Sequence, residues 1–240
     1  MNHRIRPQSL LVASLLLVAA APLSSAAKRT KADEKVSIAL APKVGKLKYA
    51  YKMVASVAGQ EAEISATIDW NIKKVENDQA EIEATWNEFK LTMGGSEPAI
   101  NLEPQRVTYV PSTGLPKSIA GGITGTDEAR TYLLFHFIAP KDPVAVGDTY
   151  TFEAKADEKA SLPGFKYEGK YLGVEQEGGA ALYKFSAKYS EAANDSFGAN
   201  TTFFVRQDGT LVRAESTFRH MPLPQFGAEF DGKATIKQLS

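Results

Sequence analysis

The stretch AEISATIDWNIKKVENDQAEIEATWNEFKLTM, residues 62–93, decides the fold class. Ile64, Ala66, Ile68, Trp70 and Ile72 alternate with Ser65, Thr67, Asp69 and Asn71, and Ala80, Ile82, Ala84 and Trp86 alternate with Glu81, Glu83, Thr85 and Asn87. A period of two sends successive side chains to opposite faces, so the stretch reads as two antiparallel strands with one buried and one wet face. The phase then changes, and Phe89, Leu91 and Met93 carry the apolar face. That flip predicts a β-bulge near Asn87–Glu88. Asn77-Asp78 supplies the turn. A loop over 77–79 sets Trp70 opposite Trp86 and Ile72 opposite Ala84.

The same period returns further on. Phe165, Tyr167 and Tyr171 share a face, as do Tyr183, Phe185, Ala187 and Tyr189, and Ala228, Phe230, Gly232, Ala234 and Ile236 alternate with charged and polar residues. A loop over 177–179 sets Tyr171 opposite Phe185 and Tyr167 opposite Tyr189. Cross-strand aromatic pairs of this kind stabilise a sheet by about 0.2–1 kcal/mol each.

Four features recur in the same order. Ala41-Pro42-Lys43 with Val44-Gly45 answers to Ala139-Pro140-Lys141 with Val146-Gly147-Asp148, each ahead of a tyrosine-bearing strand. Val75-Glu76 answers to Val174-Glu175, each ahead of a turn, and Val110–Gly114 answers to Val205–Gly209. This reads as an internal repeat. The expectation is a mainly β protein of two repeated antiparallel β units, 36–125 and 140–240, with one linking α-helix over 126–139. Its sheets form a sandwich, paired curved half-barrels or one continuous curved sheet. Thr126 can cap the helix, Asp127 and Glu128 suit its positive end, and Ala129, Leu133, Leu134 and Phe137 form its apolar face before Pro140 stops it.

The N-terminus reads as an export signal. Arg4 and Arg6 precede an apolar core, Leu10–Ala21, and Ser24-Ser25-Ala26 offers small residues for cleavage after Ala26. The core is shorter than the roughly 20 residues a membrane helix needs. Residues 27–35 read as a charged, flexible tether. The chain has 240 residues, 28 Lys+Arg against 28 Asp+Glu, 43% apolar residues and no cysteine. The missing cysteine removes disulfide, thiolate-metal and lipobox chemistry. The balanced charge gives no basic footprint for nucleic acid. The expected location is therefore periplasmic or extracellular, with no integral membrane segment after signal cleavage.

Little in the chain points to catalysis. His136 lies in the apolar run Leu-Leu-Phe-His-Phe and reads as a core or edge histidine. His220-Met221 has no companion ligands at metal spacing, since Met53 and Met93 fall on core faces. Gly94-Gly95-Ser96 lacks the strand-turn-helix setting of a nucleophile elbow. Glu81, Glu83, Glu168 and Glu177 belong to wet strand faces. Gly121-Gly122 and Gly125 precede the helix, but Asp127 and Glu128 would repel an anion there. No catalytic residue, metal or cofactor is therefore expected. The sequons at Asn194 and Asn200 would matter only in a eukaryotic secretory route. Trp70, Trp86, Tyr171, Phe185 and Phe137 are the candidate ligand-binding residues, as aromatics that could line a pocket on a partly covered sheet.

The Val-x-Val-Gly-Asp-x-Tyr segment Val144–Tyr150, the hairpin turns and the glycine-terminated strand ends together resemble a bacterial family of exported, domain-of-unknown-function proteins built from two β units. The resemblance spans about residues 45–218 and implies fold and export, with no activity. At the level of fold it is also similar to periplasmic half-barrel carriers of lipoproteins and lipids. The reading favoured is an exported soluble binding or accessory protein of the cell envelope, whose partner is a hydrophobic small molecule or an envelope protein. A structural role through loops 94–104, 157–164 and 219–226, or a hydrolase with an unrecognised site, are the alternatives.

Overall fold

A computed structural model describes residues 34–57, 59–97, 102–121, 126–157, 162–191, 197–223 and 228–239. The export signal, most of the tether, Gly122, Gly125, Asn194 and the side chains of Thr126 to Ala129 lie outside them.

Among the described residues, eleven strands build one antiparallel sheet. The first five are β1 (Gly45–Val57), β2 (Gln60–Glu76), β3 (Gln79–Met93), β4 (Gln105–Val110) and β5 (Leu115–Ala120). Helix α1 (Thr126–Leu134) follows. Then come β6 (Thr149–Ala154), β7 (Phe165–Glu177), β8 (Ala180–Glu191), β9 (Gly198–Val205), β10 (Leu211–Leu223) and β11 (Ala228–Gln238). The order across the sheet is β5-β4-β3-β2-β1-β11-β10-β9-β8-β7-β6. Strands adjacent in the sheet are consecutive in the chain except at one seam, where β11 pairs with β1 and joins the two meanders. Of the arrangements left open by the sequence, the molecule adopts a single continuous sheet. It is open, with β5 and β6 as its edges.

The period-two faces fold as the sequence sets them. Ala66, Ile68, Ile72, Ala80, Ile82 and Ala84 are buried, and Glu81, Lys73 and Lys74 are exposed. The phase flip is a bulge: register shifts between Ser65 and Thr67, and Glu88 on the facing strand has φ 51°.

The first hairpin turn is shorter than the sequence suggests. Asn77 and Asp78 both take positive φ (48° and 53°), as a two-residue type I′ turn requires, and Glu76 pairs with Gln79. A second bulge at Lys73 shifts the register once more, so Trp86 faces Ile68 and Trp70 faces Ala84. The Trp70–Trp86 pairing expected from the sequence is therefore absent. The second hairpin also turns in two residues, Gly178 and Gly179. A bulge between Tyr171 and Gly173 restores the expected register, and Tyr171 does face Phe185 and Tyr167 does face Tyr189.

The helix is also shorter than expected. It ends at Leu134, and Pro140 plays no part in stopping it. Phe135 N–H and His136 N–H bond back to the carbonyls of Tyr132 and Leu133, a tightening common in a last helical turn. Thr201, on β9, donates to the Leu134 carbonyl at 3.1 Å, and Ser216, on β10, lies 2.8 Å from the Thr201 hydroxyl and supplies the second proton. Arg130 is fixed to the end of β8 by a two-pronged pair with Glu191, at 2.6 and 3.0 Å.

Residues 132–138 are buried throughout. They touch Tyr51 of β1, Tyr109 of β4, Phe185 of β8 and Phe203 of β9, while the Tyr150 hydroxyl of β6 donates to the Ile138 carbonyl at 2.7 Å. Strands from both meanders meet this one segment, so the sheet wraps around it and it fills the concavity. Another correction concerns residues 219–223 of the expected loop 219–226; 224–226 lie outside the described residues. The strand β10 runs on to Leu223 through a bulge at Arg219–His220.

One close approach yields a prediction. Tyr150 faces Gly169 across β6 and β7 and lays its ring over it, so a Cβ on residue 169 would lie 2.2 Å from the ring. The ring cannot yield without losing its bond to Ile138. Gly169→Ala is expected to cost about 1–3 kcal/mol, the usual range for overpacking, read as a lower urea midpoint. An unchanged midpoint would contradict this account of the packing.

Candidate functional site

A cavity of about 350 Å³ opens at one end of the concave face. Leu47 and Tyr49 of β1, Trp70 and Ile72 of β2, Ile82 of β3 and Tyr109 of β4 form its wall. These side chains share a wall because they occupy the inward positions of neighbouring strands: Leu47 faces Trp70, and Ile72 faces Ile82. Tyr49 is held in place by a bond from its hydroxyl to the Leu211 carbonyl at 3.0 Å, and it meets Trp70 edge to face at 5.4 Å. Tyr132, Phe135, His136 and Phe137 make the floor.

The roof comes from the segment ahead of β1. Val36 exchanges two backbone hydrogen bonds with Val144, and Ala41 N–H bonds to the Asp208 carbonyl. Between these anchors Leu40 reaches across the cavity end. Its methyl groups lie against Gly114 of the β4–β5 turn and Gly209 of the β9–β10 turn. Gly209 has φ +76°, and a Cβ there would lie 2.5 Å from Leu40. Only glycine lets the arm come this close. Exposed Lys43, Lys46 and Arg206 stand at the rim.

The five aromatics singled out in the sequence divide. Trp70 and Phe137 line the cavity; Trp86, Tyr171 and Phe185 do not. Trp86 packs on Tyr51 at 5.0 Å and Phe89 at 6.4 Å. Tyr171 and Phe185 are 1% and 0% exposed and stack at 5.0 Å, with Phe185 against Phe137 at 4.9 Å. They are core. Sequence reasoning missed Leu40, Tyr132 and Arg206. It read His136 as a core or edge histidine; the ring is buried, on the cavity floor. The one available signal was a polar ring inside an otherwise apolar run.

Electrostatically the floor is neutral. Burial pushes the His136 imidazole down to about 3 and the Tyr132 phenol well above its usual value. The acidic residues weighed for catalysis stand elsewhere, on the outer face. Glu83 accepts from Lys73, Glu168 from Lys166, and Glu177 from Arg213 and Lys237, and these hydrogen bonds hold all three carboxyls below the usual range. His220 sits at the β10 bulge with its ring 3.1 Å from Glu229, while Met221 is buried in the core. Among the described residues no three His, Asp or Glu side chains are grouped to hold a metal ion, and no helix is long and apolar enough to cross a membrane.

No family model and no curated protein matches the chain. Several solved structures share features of its fold. A lipovitellin, in a study of its lipid–protein interactions, is 14% identical with a TM-score of 0.48; the match covers 82% of this chain and 25% of lipovitellin, so the chain spans about a quarter of that protein. An exported protein with a YmcC-like fold from Bacteroides fragilis is 10% identical, with a TM-score of 0.34 and coverage of 85% and 100%. A domain described as outer membrane lipoprotein-sorting, from Vibrio parahaemolyticus, is 11% identical, with a TM-score of 0.24 and coverage of 82% and 84%. At such identities and TM-scores nothing about ligand or activity follows from them.

Proposed function

We propose that the protein is an exported binding or carrier protein of the cell envelope that holds an apolar ligand in the cavity between β1, β2, the 132–137 floor and the Leu40 roof. The observation that carries this reading is the cavity itself. An apolar, aromatic-walled space of about 350 Å³ persists in a concave face that is elsewhere filled by tightly packed rings. Its volume falls at the small end of the range for small-molecule sites, roughly 300–1,000 Å³. Export rests on Arg4, Arg6 and the Leu10–Ala21 core. A binding role is favoured over a catalytic one because the floor groups are held neutral and Glu83, Glu168 and Glu177 are paired on the opposite face.

The test is a blocking substitution. Leu47 is half-buried on the cavity wall, and Leu47→Trp would fill the space without touching the packed Phe185 side. The wild-type protein is expected to take up the neutral dye N-phenyl-naphthylamine with a rise in its fluorescence, and Leu47→Trp to abolish uptake while keeping a native circular dichroism spectrum. Equal uptake by both proteins would place the site elsewhere, and no uptake by either would remove the binding role.

A further inference from the structure

The cavity carries polar atoms that an apolar container does not need. Trp70 Nε1, Tyr132 Oη and His136 Nε2 are buried and have no hydrogen-bond partner, and all three residues line the same space. Tyr132 and His136 stack at 4.7 Å, so both rings stand at the same end of the floor. A buried donor or acceptor left unmet costs about 1–3 kcal/mol. A ligand oxygen that reached this cluster would recover that cost. The indole N–H and the phenol O–H can both donate to it. The oxygen would have to be neutral. Among the residues of the floor there is no cation to balance a carboxylate, and an unpaired buried charge is far more costly than an unpaired dipole.

The rim has the opposite character. Lys43, Lys46 and Arg206 stand there against a single carboxylate, Asp208, which already accepts the Thr210 N–H at 3.0 Å. An excess of exposed positive charge at a cavity mouth draws in and orients an anion. Between rim and floor the walls are Leu47, Ile72, Ile82 and aromatic rings, which suit a hydrocarbon chain.

Resting on the binding role proposed above, we propose that the ligand is a single-chain anionic amphiphile with a neutral oxygen at its buried end, such as a hydroxy- or oxo-carboxylate. Its anionic group sits at Lys43, Lys46 and Arg206. Its chain lies along Leu47 and Ile82. Its distal oxygen accepts from Trp70 Nε1–H and Tyr132 Oη–H, with His136 Nε2 as a further partner.

Titration calorimetry on the full chain with three probes of one length, 10-hydroxydecanoate, decanoate and decanol, separates these contributions. The hydroxy acid is expected to bind about tenfold tighter than decanoate, as a pair of neutral hydrogen bonds would give. Trp70→Phe and Tyr132→Phe keep the rings and should each reduce that advantage severalfold. Arg206→Gln should weaken both acids and leave decanol unchanged. Equal affinity for hydroxy acid and plain acid, unmoved by the two ring-conserving variants, would overturn the inference and leave the binding role standing. Uptake of the naphthylamine dye with no binding of any of the three probes would do the same. Failure of the dye and of all three probes together would remove the binding role itself.

Discussion

Phe185→Ala is expected to lower the stability of the fold by about 3–5 kcal/mol, the range for removing a buried aromatic ring. Phe185 is fully buried, at 0% exposure, and is surrounded by Phe137 at 4.9 Å, Tyr171 at 5.0 Å and Tyr150 at 6.4 Å. Its loss would open a void where strands β6, β7 and β8 meet the 132–138 segment, and rings held this tightly close such a void only in part. The denaturant midpoint reads the effect. Dye uptake per folded molecule should be unchanged, because Phe185 lies outside the cavity lining. A variant of wild-type stability that had lost uptake would mean that the ligand sits against Phe185 and that the cavity has been assigned to the wrong wall.

A second large effect concerns acid. His136 is buried, packed between Tyr132 and Tyr109, with burial holding its imidazole down at about 3 against an ordinary 6.5. Above pH 6.5 the ring is neutral in folded and unfolded chains alike, and the full stability is present. Below that the unfolded chain binds a proton that the folded one excludes, so stability falls progressively until the pH nears 3. The total loss is a few kcal/mol at most, since one pKa unit corresponds to about 1.4 kcal/mol. The groups facing the ring, Tyr109 and Tyr132, have pKa values raised by burial and stay protonated over the whole window. Urea midpoints at pH 7 and pH 5 test this without titrating most carboxylates. The wild-type protein should lose stability over that interval, and His136→Phe, which preserves the stack, should lose much less. Equal losses would mean that the folded state admits the proton and that the site is wetter than its geometry indicates.

Strand character was legible because alternation is a local property. The faces of β2 and β3, and the bulge beside Glu88, follow directly from where the apolar phase changes in residues 80–93. Register was less legible, since it depends on turn length and on bulges that leave little trace in composition. In the second hairpin a two-residue turn and a bulge offset each other, and the pairing of Tyr171 with Phe185 came out as expected. In the first hairpin they did not. The end of α1 was hidden for a different reason. Thr201, 67 positions away in sequence, takes up the Leu134 carbonyl, and that contact exists only once β9 is in place. Strand β10 hides its inner face behind small residues, Ala214 and Ser216, that hydropathy does not mark as core.

The candidate site was half legible. Trp70 and Phe137 stand out as large aromatics on inward positions, and both reach the cavity. Leu40 does not stand out, because its role depends on two distant turns, at Gly114 and Gly209, converging on it. His136 reads as a core or edge member of an apolar run, and Tyr132 just ahead of that run does not stand out. Their importance lies in polar atoms left without partners, which only the packed structure reveals.

The proposed ligand lies at the Leu40 end of the concave face. Native mass spectrometry of the protein, purified gently from an exporting host, tests it most directly. The expected result is an added mass that organic extraction removes and that the Leu47→Trp protein lacks. A bare polypeptide mass for both proteins, with no dye uptake after extraction, would contradict it and leave the concavity as packed core alone.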